Sequence, residues 1–578
     1  SVLTGVTAIL TVAAIVGNII ANQYATTINV ALNASTYKII HGENTGDTEY
    51  FKKGFASDEE REAYEAELCA TVEAEGAALL KNENNALPLA SGAKVSLFGH
   101  GSVDLMYGGT GSGALNDAYP VTDLLTGLHD AGIETNDELS KFYTDYCSTR
   151  PSVGMAQQDW TLPEPNVSLY TDEMMANAKA YSDTAMVVIT RVGGEGADLP
   201  TDMSAVVDGS WVRRVADYSG SQRGAGYYNG TYDDSLNEGN DWDKGDHFLQ
   251  LSNREEELID LVTSNFDNVI VVYNGANAFE MDWVKNYPQI KGVLLCPGTG
   301  QSGFEGFGRV VAGEVNPSGR TADTYAADLT ASPWWNNFGD FKYTNATELD
   351  SDSSSFDPAG ATASFVNYAE GIYVGYKYYE TRYEDAVLKQ GNAGDYDYAA
   401  TVAYPFGYGL SYTDFEWSDL KVDWDGDLCT ASVTVKNTGF TSGKDVVEFY
   451  VQSPYIPGGV EKAAVALSQY VKTSELAPGE SQRVSVTFSK QDIASYDAKD
   501  AKTYVIDAGD WYVTAAHDAH EAVNNVLAAK GKTTADGMTA NGNTAMAAKY
   551  TVSERELLNK DAVSGAEVIN QLDDIVYA

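Results

Sequence analysis

The segment Val187–Leu199, VVITRVGGEGADL, runs from a β-rich apolar stretch into a glycine turn that presents one carboxylate, Glu195, between Gly194 and Gly196. A strand end followed by flexible backbone is where α/β folds hold working side chains, because the sheet fixes position while the loop reaches toward a ligand. A solvated turn glutamate looks the same over so short a window, so the flanking sequence decides. Further apolar strand candidates lie at Lys94–Gly99, Asn268–Tyr273 and Gly292–Cys296, separated by helical patterning such as Glu255–Ser264 and Phe304–Ala312. That alternation predicts an α/β domain with a mostly parallel sheet covered on both faces. Upstream, Asp58–Leu80 reads as an acidic amphipathic helix and Asn82–Leu89 as a turn leading to a strand. Past Phe406 the period changes to two, with runs at Ala431–Lys436, Asp445–Gln452, Arg483–Phe488, Thr503–Ile506 and Trp511–Ala515. These predict an all-β sandwich of roughly 100 residues. Glu521–Ala578, rich in Ala, Gly and Thr and then polar, reads as a linker.

At 578 residues the chain exceeds one ordinary core and predicts two or three domains. A net charge of -46, with no compensating Lys/Arg block, repels phosphates and argues against nucleic acid as a partner. The cysteines Cys69, Cys147, Cys296 and Cys429 lack C-x-x-C spacing, and the six histidines form no H-E-x-x-H cluster, so no metal or other cofactor is expected. Val2–Ala21 is nearly all apolar and the first charge is Lys38. Two readings fit this stretch: a membrane segment over residues 2–21, or a hydrophobic helix buried against a partner.

The run Tyr107–Gly113, YGGTGSG, follows a strand but lacks both the G-K-[ST] ending and the G-x-G-x-x-G spacing, so it suits close main-chain approach better than a nucleotide phosphate. Between Leu199 and His247 lies an insertion that includes Trp211, Tyr227 and Tyr228 with several arginines. Such rings stack on pyranose faces, and the same residues would equally serve packing against another domain. Asp241 and Asp282 each precede a tryptophan, but the first lies in a charged loop and the second in FEMDWVKNY, which reads as a helix.

Together these segments resemble glycoside hydrolase family 3, the family of β-glucosidases and related exo-glycosidases. The resemblance rests on EGAALLKNENNALPL (Glu75–Leu89), YGGTGSG, TRVGGEGADLP, LLCPGTGQSGFEGFGRVVAGEVNPSGR (Leu294–Arg320), EGIYVGYKYYETRY (Glu370–Tyr383) and FGYGLSYTDFEWSDLKV (Phe406–Val422), in family order. It implies a three-layer α/β sandwich domain over residues 38–405 and a fibronectin-III-like β-sandwich over 406–520. Residues 1–37 would be an anchor or assembly helix and 521–578 a linker toward a barrel.

The resemblance also implies a retaining mechanism, in which a barrel aspartate attacks the anomeric carbon and a glutamate of the α/β domain protonates the leaving oxygen. Glu195 matches the second role. Such an acid has to hold a proton when substrate arrives. Tyr107, Gly109, Ser112, Arg191, Trp211, Tyr227 and Tyr228 are the expected substrate contacts. The family's Ser-Asp-Trp nucleophile segment is absent, since Asn240 and Met281 precede the two Asp-Trp pairs. The expectation is therefore the acid/base-bearing part of an extracellular or cell-surface exo-β-glycosidase acting on a small carbohydrate. A (β/α)8 barrel would come from another chain or from the part beyond EVINQLDDIVYA (Glu567–Ala578). The rival is a non-catalytic, surface-anchored sugar-binding or structural module.

Overall fold

Strands rich in Val, Ile and Leu at positions 78–82, 94–98, 184–191, 268–275 and 290–296, with a two-residue strand at 134–135, assemble one six-stranded sheet in the computed structural model. The model describes residues 2–25, 28, 54–109, 115–116, 118–148, 163–193, 199–207, 241–337 and 368–570. Residues 1–62 and 63–578 are two separate compact units. In the first, Val2–Gln23 is a helix, interrupted by Thr4, Gly5, Thr7, Thr11, Gly17 and Asn18. Among the described residues no helix is long and apolar enough to cross a membrane, so the structure does not support the expected membrane segment.

In the second unit the strands are β1 (Ala78–Asn82), β2 (Lys94–Phe98), β3 (Glu134–Thr135), β4 (Thr184–Arg191), β5 (Asn268–Gly275) and β6 (Ile290–Cys296), in the order β1-β6-β5-β4-β2-β3. All pairs are parallel except β1 with β6. Alternate residues point to opposite faces. Val187, Ile189, Val271 and Tyr273 enter one core with the helices Asp137–Cys147, Asp172–Tyr181 and Asn253–Asn265. Met186, Val188, Ile270 and Val272 enter another, with the helices Leu124–Asp130 and Gly303–Val311. Three layers result, and both faces of the sheet are dry.

The helix expected over 58–80 is shorter. It spans Asp58–Gly76, and Ala78–Leu80 is strand β1, with all three residues almost fully buried. An Ala-Leu-Leu run satisfies either period, and burial on both sides of an edge position selects the strand. The helix expected in FEMDWVKNY is only a 3-10 turn, Asp282–Asn286.

After the short pair β7 (Tyr325–Ala326) and β8 (Val402–Tyr404), the chain builds β9 (Phe415–Asp425), β10 (Leu428–Asn437), β11 (Val446–Gln452), β12 (Ala466–Lys472), β13 (Ser481–Ser489), β14 (Ser495–Asp497), β15 (Thr503–Ile506), β16 (Gly509–Ala516), β17 (Ala547–Val552) and β18 (Glu556–Leu558). The sheets β13-β10-β9 and β12-β11-β16-β17 enclose a core that includes Val433, Phe449, Trp511 and Val513.

Residues 521–558 are therefore part of the fold rather than a linker. The helix Ala519–Ala529 buries Ala522, Val523 and Leu527, β17 extends the sheet beside β16, and β18 pairs with β15. The small residues that resemble linker composition permit close packing. A Cβ at Gly542 would lie 2.0 Å from the Asn524 carbonyl oxygen.

The two domains are joined by buried and half-buried polar contacts. Asp445 accepts from Arg320 at 2.8 Å and from the Trp417 indole at 2.6 Å. Asn316 accepts from Ser411 and Tyr412 and donates to the Ser442 carbonyl.

Candidate active site

Strand order reverses between β2 and β4, since the chain steps outward from β2 to β3 and then back across to β4. The crevice beyond the carboxyl ends at such a switch point is where open α/β sheets hold ligands. The main chain is tight here. A Cβ at Gly99 or Gly101 would fall 2.4 or 2.8 Å from the Val188 carbonyl oxygen, so only glycine lets the loop after β2 lie against β4.

That loop is fixed from β5, on the far side of β4, by buried Asn274, which accepts from the Met106 N–H at 2.7 Å and donates to the carbonyls of Met106 and Cys296. Tyr107, next in line, packs edge-on against Phe304 at 5.6 Å, and burial pushes its phenol up to about 12. Its carbonyl accepts from the Gly300 N–H. Gly109 is exposed, and Ser112 lies outside the described residues.

Arg191 ends β4 three residues before Gly194. Its guanidinium donates to the carbonyls of Phe248 (2.6 Å), Thr190 (2.9 Å) and Gln250 (2.6 Å) and to both carboxylate oxygens of Glu255 (2.7 and 2.6 Å). Those five bonds use every N–H that an arginine carries. Phe279 lies 4.8 Å from the guanidinium carbon. The expectation that Arg191 touches substrate is corrected: no N–H is left for a ligand, and Arg191 is a positioning residue that locks the end of β4. Burial alone would raise the Glu255 carboxyl, but the Arg191 charge and its hydrogen bonds hold it below the usual range.

Described chain resumes at Leu199, and it is held there. The Pro200 carbonyl accepts from the Phe248 N–H, and Leu199 packs with Met203, Trp242 and Phe248. Glu195 itself, and Trp211, Tyr227 and Tyr228, lie outside the described residues.

Sequence reading missed a second buried group at the same edge of the sheet. His100 follows β2, and its backbone N–H donates to Glu164 at 3.0 Å while its ring faces Asp104 at 3.4 Å. Glu164 also accepts from the Tyr170 hydroxyl, which in turn meets that of Tyr143 at 2.6 Å. Burial pushes the Glu164 carboxyl up to about 7, against the opposing pull of His100. Asp241, beside Arg254, is likewise pushed up to about 6 by burial. Perturbed carboxyls cluster where chemistry happens. These are nevertheless enclosed by protein, at 3% and 2% exposure, and act by fixing the loops around them. The available signals were a histidine directly after an apolar strand, FGHGS, and a glutamate between Pro163 and Pro165.

Among the described residues no three side chains assemble a metal site, and the four cysteines are free thiols.

Residues 77–376 match the Glycosyl hydrolase family 3 C-terminal domain, and residues 445–519 match the Fibronectin type III-like domain. The chain belongs to glycosyl hydrolase family 3. Family relatives include β-glucosidase A of Butyrivibrio fibrisolvens, 35% identical over 75% of this chain and 46% of the relative, and a β-glucosidase of Ruminococcus albus, 31% identical over 79% and 40%. This chain thus spans less than half the length of these two curated relatives.

Among solved structures of the family fold, the β-glucosidase of Paenibacillus barengoltzii superposes with a TM-score of 0.61 at 28% identity, covering 85% of this chain and 44% of that one. β-Glucosidase 3B of Thermotoga neapolitana, in complex with α-D-glucose, gives 0.61 at 27%, covering 86% and 56%. The α/β domain followed by a fibronectin-III-like sandwich is therefore the family arrangement, and here its central strand β4 ends at Arg191, four residues before Glu195.

Proposed function

We propose that this chain supplies the proton-transferring half of a retaining exo-β-glucosidase, with Glu195 as general acid/base. The reading is carried by one observation: the strand that ends four residues before Glu195 closes on Arg191, which is fully hydrogen-bonded, in a family whose relatives are named β-glucosidases. A rigid base under a glycine-rich arm lets a carboxyl reach a bound sugar without losing register.

In the first step a carboxylate of a (β/α)8 barrel attacks the anomeric carbon, the glycosidic C–O bond breaks, and the leaving oxygen takes the Glu195 proton. In the second, the Glu195 carboxylate removes a proton from water. The water oxygen displaces the carboxylate from the anomeric carbon, and Glu195 is left protonated again. The nucleophile and most contacts to the nonreducing sugar belong to the barrel partner in this reading, and the working location is outside the cell or at its surface.

The test is Glu195→Ala in the assembly that contains the barrel. Turnover of alkyl glucosides, whose leaving groups need a proton, should fall by about 10²–10⁴-fold. Turnover of dinitrophenyl glucoside, which needs none, should fall much less in its glycosylation step. An equal loss for both substrates removes Glu195 from the acid role.

A further inference from the structure

Away from the sheet edge, three side chains from distant segments stand in line. His520 lies in the first turn of the helix Ala519–Ala529. Its Nδ1 faces Glu380 Oε2 at 2.9 Å, and its Nε2 faces the Thr539 hydroxyl at 2.6 Å. Glu380 belongs to the helix Tyr376–Leu388 and is 1% exposed, and its other oxygen accepts from the Tyr398 hydroxyl at 2.5 Å. The imidazole is clamped as well as bonded. The Tyr398 ring stacks on it with centroids 3.7 Å apart and planes 13° from parallel, and the Tyr383 ring lies at 4.5 Å. Thr539, by contrast, is exposed.

These contacts fix where the protons sit. A carboxylate only accepts, so the neutral imidazole carries its hydrogen on Nδ1 and leaves Nε2 bare. Nε2 then accepts from the Thr539 hydroxyl. The Asn524 amide donates to the same hydroxyl oxygen at 3.4 Å. The Tyr383 hydroxyl donates to Asn524 at 2.7 Å and accepts from the Thr539 N–H at 2.9 Å, so Thr539 is held by its backbone as well as by its side chain. A hydroxyl, a base within hydrogen-bond reach and a third group that orients the base are the parts of an activated nucleophile.

We propose that Thr539 is an acylation site for small activated acyl esters, aryl esters or thioesters, with His520 as general base and Glu380 as the residue that positions it. The Thr539 oxygen attacks the carbonyl carbon while its proton passes to His520 Nε2. The bond from that carbon to the leaving oxygen or sulfur breaks, and His520 returns the proton to the leaving group. The products are a threonine ester and a free phenol or thiol. Because Thr539 is exposed, the leaving group rather than the fit of the acyl chain sets selection. The site is independent of Glu195 and of any barrel.

The test treats the full 578-residue chain with para-nitrophenyl dimethylcarbamate, whose carbamoyl ester on threonine hydrolyses slowly and accumulates. Samples are quenched in acid at successive times, and mass spectrometry of the digest reads each threonine separately. Thr430 is the internal control, exposed and facing the Thr487 hydroxyl at 3.5 Å rather than a base. Thr539 should react about 10²-fold faster than Thr430. The advantage should vanish in guanidinium chloride, where the three groups separate, and in folded His520→Gln. Glu380→Gln should slow Thr539 less, and nitrogen NMR of its imidazole should show the Nδ1–H form no longer dominant. Equal rates at Thr539 and Thr430 in the folded chain, an advantage that survives denaturation, or one that survives in folded His520→Gln would overturn the proposal. If His520→Gln does not fold, the comparison of the folded and denatured chain decides by itself.

Discussion

The carboxyl edge of the α/β sheet and the interior of the β-sandwich are both buried, but they are filled differently. Arg191, Glu255, Glu164, Asp241, Arg254 and His100 gather at the first, each at most 9% exposed. The second is a core of residues such as Val433, Phe449, Trp511 and Val513. Apolar packing stabilises without requiring one exact geometry, whereas a buried charge has to meet its partners or be neutralised. The charged edge therefore fixes loop positions, and the sandwich fixes the body that carries them.

The largest break in this contrast should come from Arg191→Met, which strands the Glu255 carboxylate in the interior. Denaturant unfolding should show a loss of about 3–5 kcal/mol. Glu255→Gln in the same background should recover part of it, since the buried charge is then gone. A loss near zero for Arg191→Met would mean that the pair does not hold the edge.

Asp445→Ala attacks the joint between the domains by unpairing Arg320 and Trp417. It should cost about 3 kcal/mol and make the sandwich susceptible to proteolysis at lower denaturant than the α/β domain.

A smaller, pH-dependent effect sharpens the comparison. Glu164 is held at about 7 against an ordinary 4.5, so the folded chain binds its proton more tightly than the unfolded chain. The stability this confers is complete below the ordinary value and is lost as pH rises through about 7. Glu164→Gln cannot ionise, so its stability relative to the unsubstituted chain should climb across that interval and level off above it. A flat difference across that range would show that Glu164 titrates normally. The smallest effect is expected at Phe440, 98% exposed on a sandwich turn. Phe440→Ser should change stability by no more than about 0.5 kcal/mol.

The central strands were legible because their apolar β-branched runs are too short for helices and are bounded by glycine and polar turns. Strands β10, β11, β13, β15 and β16 were legible from alternation. β1 was not, because Ala78–Leu80 is apolar at every position and continues a helical pattern. Neither was the module from Ala519 to Leu558, where the alanines and glycines that allow close packing imitate a linker. At the candidate site, the Glu195 loop was recognisable by its glycines and preceding strand. Arg191 was visible as a residue but not in its role, since Glu255 stands 64 positions away.

What the sequence determined by itself was local: which segments alternate, where glycines interrupt them, which carboxylate follows β4 among glycines, and the order of motifs that places the chain in its family. Which charges share the interior was decided only when the order β1-β6-β5-β4-β2-β3 brought distant segments together. Arg191 then met Glu255, and His100 met Glu164, again 64 residues apart. Periodicity records the face a residue presents, whereas an ion pair or a ligand cleft depends on which strands become neighbours, and only the packing of the whole sheet fixes that.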